Sequence, residues 1–208
     1  ACNMRSVSHH CLHVGHGVKQ VSTEKVHVTG NLQNTGNDLD ISIDGAGFFQ
    51  ILQPNGIIAY SRDGHFNIDG QGRLVTNDGM PVDPEINIPV DTRKVEISND
   101  GTVSVFLRDE TQPEAIGSLQ LARFQNPAGL TPIGKNLYVS TPASGNAVLD
   151  SPAANGMGGL NQGFLEGSNV SLVEEMVNMI TAQRAYEVNS KAIQSSDEML
   201  KTANGLIR

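Results

Sequence analysis

The residues able to do chemistry in this chain fall into a few groups. The densest lies near the start, where His9, His10, Cys11, His13 and His16 follow one another without periodicity. Imidazole and thiolate are ligands for zinc or nickel. A closed zinc site needs ligands in paired spacings, and no Cys-x-x-Cys pair exists here. Residues 1–16 therefore read as a disordered or non-native leader. The two cysteines, Cys2 and Cys11, would close a trivial loop and staple no core.

Asn67, Asp69, Gln71, Gly72 and Asp78 occupy positions of an EF-hand-type loop. Two carboxylates are too few, and an Asp stands where a bidentate Glu is needed. The flanks read as strands, so the stretch is a series of turns. Glycines between Gly156 and Gly163 have the composition of a phosphate loop. A phosphate cradle must sit directly before a helix N-terminus, and here Phe164 to Ser171 intervene. His65 has Asp63 and Asp69 close in sequence, but no nucleophile motif accompanies it. Carboxylate pairs are too common in an acidic chain for one to stand out. The residues predict no catalytic site, no cofactor and no metal, and the chain is not expected to be an enzyme.

The chain has 208 residues, 38% hydrophobic and 4% aromatic, with no Trp. That suffices for one modest domain plus an extended element. The net charge of −8 argues against nucleic acid and anionic membrane surfaces as partners. The charge is uneven. Asp38 to Glu114 holds 14 acidic and 5 basic residues, whereas Leu172 to Arg208 holds 5 and 4. No apolar run is long enough for a membrane span, and no apolar signal-peptide core is visible.

Periodicity supplies the elements. Leu39, Ile41 and Ile43 alternate with Asp38, Asp40, Ser42 and Asp44, the pattern of a half-buried strand. Phe48 to Leu52 is a second apolar run. Asp63-Gly64, Asp69-Gly70, Asp78-Gly79 and Asp100-Gly101 are hairpin-grade dipeptides. The clearest hairpin is Val95 and Ile97, then Asn99-Asp100-Gly101, then Val103 and Val105. Residues 38–140 are predicted to form an antiparallel β domain. Residues 17–37 read as an extended linker, and 141–167, rich in Gly and Pro, as an extended connector open to protease. From 168 to 208 the grammar turns helical, with no Gly or Pro between Gly167 and Gly205. Ser171 and Glu174 make a capping box. The expected fold is mainly β with a long C-terminal α-helix (α+β), the helix of coiled-coil type.

Along that helix Leu172, Met179, Tyr186, Ile193, Leu200 and Ile207 recur every seven residues. Ala185, Ala192, Met199 and Leu206 form an adjacent row. A sustained apolar heptad calls for partner helices. The predicted assembly interface comprises Leu172, Met176, Met179, Gln183, Tyr186, Asn189, Ile193, Met199, Leu200 and Ile207. The alternative is a helix packed on its own domain.

The run from Glu166 through Ile180 (Glu-Gly-Ser-Asn-Val-Ser-Leu-Val-Glu-Glu-Met-Val-Asn-Met-Ile), continued to Lys191, resembles the C-terminal signature of the bacterial flagellar rod and hook proteins. Gly30 to Leu39, Gly45 to Gln50, Tyr60 to Phe66, Gly72 to Thr76, Phe124 to Leu130 and Gly134 to Tyr138 agree with it. The resemblance covers about Leu12 to Arg208 and is strongest to the distal-rod members. That family opens with a helix bearing an Ala-Asn-Asn-Leu-Ala-Asn type motif, which is absent here, and residues 1–11 match nothing in it. The chain thus reads as truncated or mis-started.

The resemblance implies a non-enzymatic subunit of the distal rod that self-assembles into a helical tube transmitting torque to the hook. The homo-oligomer would contact neighbouring rod and hook proteins and the surrounding rings, without nucleic acid and without membrane insertion. It would lie in the periplasm-spanning basal body, exported by the flagellar type III apparatus with no cleaved signal peptide. The alternatives are a proximal rod or hook-type subunit, and a β-domain cell-wall hydrolase.

Overall fold

The structure, a computed structural model, describes residues 25–108 and 112–205. The leader 1–16, with its His and Cys residues, lies outside the described residues, as does Ile207. Among the described residues, sixteen short strands and one 3-10 turn (Pro127–Gly129) precede one α-helix. In chain order they are β1 (Leu32–Asn34), β2 (Ile41–Asp44), β3 (Phe48–Leu52), β4 (Ile58–Ser61), β5 (Phe66–Ile68), β6 (Leu74–Thr76), β7 (Val82–Asp83) and β8 (Thr92–Ile97). Then follow β9 (Thr102–Leu107), β10 (Glu114–Ser118), β11 (Leu121–Arg123), β12 (Thr131–Gly134), β13 (Leu137–Val139), β14 (Val148–Asp150), β15 (Gly159–Gln162) and β16 (Phe164–Glu166). The helix α1 runs Leu172–Gly205. The fold is mainly antiparallel β with one long C-terminal helix.

The largest sheet has the order β12-β13-β4-β3-β11-β14, with β7 also paired to β3. Strand β3 is buried on both faces from Phe48 to Ile51, with Gln50 the one polar side chain among them. Phe49 and Ile51 enter the main core with Ile41, Ile43 and Phe66. Phe48 on the opposite face joins Tyr60, Ala122, Phe124 and Leu130. Side chains alternate along a strand, so a strand between two clusters loses its polar face. The Phe49 and Phe66 rings meet edge to face, with centroids 5.1 Å apart.

Two smaller sheets are β10-β9-β8 and the pair β15-β2. The Gln162 side chain joins the two. Its oxygen accepts from the Ile97 amide at 3.2 Å, and its nitrogen donates to the Val95 carbonyl at 2.9 Å. The predicted hairpin around Asn99-Asp100-Gly101 is present, with Ile97 opposite Val103 and Val95 opposite Val105. Gly101 takes φ +87°, a conformation other residues resist. Asp63-Gly64 behaves differently from a hairpin turn. There a Cβ on residue 64 would overlap the Ile41 carbonyl, so the glycine serves close approach of two chains.

Within 141–167, read from sequence as an extended connector, the chain is extended and paired: β14 with β11, β15 with β2 and β16 with β1. Their Gly and Pro content reflects tight turns between short strands, such as Gly163 at φ +78°. The 17–37 linker likewise contains β1, and the β body spans 32–166. Strand β2 is not half-buried. Ile41, Ser42 and Ile43 are all inside, and the Ser42 hydroxyl donates to the Asn161 carbonyl of the paired strand β15 at 3.5 Å.

Candidate assembly surface

The helix begins where the sequence predicted. The Ser171 hydroxyl accepts from the Glu174 amide at 3.4 Å, and the Glu175 amide donates to the Ser171 carbonyl at 3.1 Å. Glu174 and Glu175 occupy the first turn, where the helix dipole favours negative charge. From Leu172 to Ala203 every side chain is exposed except half-buried Ser190. The large apolar side chains are between 48% and 76% exposed. Leu172, Met176, Met179, Gln183, Tyr186, Asn189, Ile193, Met199 and Leu200 therefore all stand in solvent in the isolated chain. Leaving that many large apolar groups in water is unfavourable by roughly 1.5–3 kcal/mol for each that could be buried, and such surfaces mark interaction sites.

The root of the helix is held by residues that sequence reasoning did not single out. Strand β16, five residues before α1, pairs with β1 in register Leu32 to Glu166. The Glu166 carboxylate accepts from the Gly30 amide at 2.9 Å and from Arg62 Nε at 2.8 Å. Arg62 donates further to the carbonyls of Gly45 at 2.9 Å and Gly47 at 3.0 Å. Asn169 donates to the carbonyls of Val26 and Val28. A Cβ on Gly30 would overlap the Gly167 carbonyl, so the two terminal segments lie in direct backbone contact. The His27 ring meets Phe48 and Tyr138 edge to face at 5.7 and 5.3 Å. Burial, then the Lys25 and Arg62 charges, lower its pKa from the ordinary 6.5. An open groove of about 400 Å³ lies here, lined by residues that include Val28, Arg62, Tyr138 and Glu166. The sequence holds no local cue to this clasp: Arg62 is one of five basic residues between Asp38 and Glu114, and nothing near it marks its partner.

Among the described residues, His65, Asp69 and Asp78 each have a structural partner. His65 Nδ1 lies 2.7 Å from the buried Asp40 carboxylate, which also accepts from Thr35 and Asn37. The EF-hand-like residues do not converge. Asp69 is bound by Arg73 through two nitrogens at 2.8 and 3.0 Å, whereas Asp78 pairs with Lys135 at 3.0 Å. Desolvation is the largest single influence on Asp69 and opposes its ionisation, but hydrogen bonds from Arg73 and Gln71 and the Arg73 charge together outweigh it and hold the carboxyl below its usual range. Among the described residues, no helix is long and apolar enough to cross a membrane.

Comparison with known proteins follows the same division of the molecule. Residues 42–105, within the β body, match the flagellar hook protein FlgE/F/G D1 domain. Residues 161–206, from the end of β15 through β16 into the helix, match the flagellar basal body rod FlgEFG protein C-terminal family. The flagellar basal-body rod protein FlgG of Buchnera aphidicola subsp. Acyrthosiphon pisum is 50% identical over 195 residues, covering 94% of this chain and 75% of that protein. FlgG of Borreliella burgdorferi is 48% identical over 197 residues, covering 94% and 74%. The flagellar hook protein FlgE of Salmonella typhimurium is 42% identical over 114 residues, covering 55% of this chain and 28% of its own length. With such identity across almost all of its residues, this chain belongs to the flagellar basal-body rod and hook protein family, in its distal-rod FlgG branch.

Proposed function

We propose that the chain is a structural subunit of the flagellar basal-body distal rod, and that it assembles through its C-terminal helix. The FlgG relatives, at about half identity over nearly the whole chain, support the rod role. The observation that carries the mode of assembly is the 34-residue helix with its large apolar side chains in solvent. Helices lined by apolar heptads bury them against other helices, and repeated copies supply those helices. The β body, with its acidic surface, stands outside the helical tube. Neighbouring rod and hook proteins continue the polymer, surrounding rings enclose it, and torque passes along it to the hook. Export proceeds through the flagellar type III apparatus without a cleaved signal peptide. The subunit works by packing and catalyses nothing. Purified protein should form concentration-dependent tubes in electron micrographs, which Ile193→Asp abolishes. Peptidoglycan turnover by the same preparation would point to a wall hydrolase instead.

A further inference from the structure

The chain has six methionines, and their surroundings divide them. Met157 is 7% exposed in the main core, and half-buried Met80 packs against that core. Met176, Met179 and Met199, all on α1, are 55%, 61% and 68% exposed. Met4 lies outside the described residues. Three thioethers therefore stand in solvent on the surface assigned above to contact with other helices.

Among the apolar side chains of that surface, only a thioether is readily oxidised by peroxide. Leu, Ile, Val and Ala are inert under the same conditions. A lone pair on sulfur attacks one oxygen of hydrogen peroxide, and the O–O bond breaks. The other oxygen leaves as water after proton transfer. Sulfur loses two electrons and the peroxide gains them. The sulfoxide converts a flexible apolar side chain into a polar, chiral one. Its oxygen is an acceptor, and burying an acceptor without a donor is unfavourable. At helical spacing Met176 neighbours Leu172, Val173, Met179 and Ile180, none of which donates a side-chain hydrogen bond. Met179 stands in the seven-residue row between Leu172 and Tyr186, so its oxidation places a dipole within the apolar seam.

We propose, on the rod reading above, that Met176, Met179 and Met199 are oxidation sites through which peroxide keeps an unassembled subunit out of the polymer. The sulfur atoms are open in the free chain and covered once helices pack, so the modification acts before assembly. The core around Met157 stays outside the reaction. An oxidised subunit keeps its β fold and loses only its association. A thiol-dependent methionine sulfoxide reductase returns the thioether and with it the capacity to assemble.

The test uses the full chain carrying Cys2→Ser and Cys11→Ser, so that methionine is the only sulfur residue. Monomer and polymer receive the same dose of hydrogen peroxide, and peptide mass spectrometry counts the oxygen gained at each methionine. Met176, Met179 and Met199 should react ahead of Met157 in the monomer and be protected in the polymer. Oxidised monomer should need roughly tenfold more protein to assemble, with the thermal transition of the β body unchanged. Reductase treatment should restore assembly. The combined variant Met176→Leu, Met179→Leu and Met199→Leu should assemble equally well before and after peroxide. Met176→Gln with Met179→Gln and Met199→Gln, polar without any oxidant, should reproduce the defect. Oxidised parent that assembles at its ordinary concentration, Met157 reacting as fast as Met176, or a Leu variant as peroxide-sensitive as the parent would overturn the proposal and leave the rod reading intact. A parent chain that stays monomeric at all concentrations before peroxide is added would overturn the rod reading, and the oxidation control with it.

Discussion

Arg62 and Glu166 stand 104 residues apart in sequence and meet at 2.8 Å, with both side chains largely buried. Arg62 sits just after β4, whose neighbours are β3 and β13, while Glu166 closes β16, the last strand before the helix. Because Glu166 also holds the Gly30 amide, one ion pair ties the β body to both terminal segments. The helix is exposed, yet its point of departure is fixed.

Substituting Glu166→Gln keeps the shape and removes the charge, leaving Arg62 with carbonyl partners only. The cost should be about 1–3 kcal/mol, seen as a lower urea midpoint of the β body. Exchange of the Gly30 amide should quicken in the same variant, because its acceptor is no longer a carboxylate. Unchanged exchange would mean that Glu166 does not hold the N-terminal segment.

His27 makes the fastening of residues 25–28 pH-dependent. Its pKa in the folded chain is lowered by burial and then by nearby positive charge, so the unfolded state binds the proton more readily. The contribution is present in full above the ordinary value of 6.5 and declines as pH falls below it toward the folded value. Tyr138 fluorescence and amide exchange at Val26 and Val28 should report loosening on acidification from pH 7 to 5. His27→Phe should flatten that dependence.

Gly64→Ala should destabilise the β body by more than about 2 kcal/mol, because the added methyl group has no room beside the Ile41 carbonyl. Gly70→Ala, with open space around it, should change stability by less than about 1 kcal/mol. Thermal denaturation of the pair separates packing from chain entropy.

Ile193→Asp should leave the monomer's β transition within about 0.5 kcal/mol, since an exposed position bears no packing load. Assembly should fail, because a carboxylate would enter an apolar seam in every subunit. A lower melting temperature of the isolated chain would show that the helix packs on its own β body.

Limited proteolysis should remove α1 and leave a core extending to about residue 170. The three paired strands within 148–166 protect the segment that composition alone marks as open. A first cut between Ala143 and Gly167 would count against that pairing.

The division between sequence and structure is physical. Local rules sufficed for the helix, whose start is a Ser171 cap and whose length follows from a stretch free of Gly and Pro. They sufficed for the β8–β9 hairpin, because Asn99-Asp100-Gly101 encodes its own turn. The heptad row was legible for the same reason, since helical spacing is set within a few residues. Tertiary structure alone decided the rest. Burial of Ser42 depends on β15, nearly 120 positions away, and the strands of 141–167 exist only because partners across the chain accept them. Arg62 and Glu166 carry no mark of their pairing, because an ion pair depends on distance in space and periodicity reports only distance along the chain.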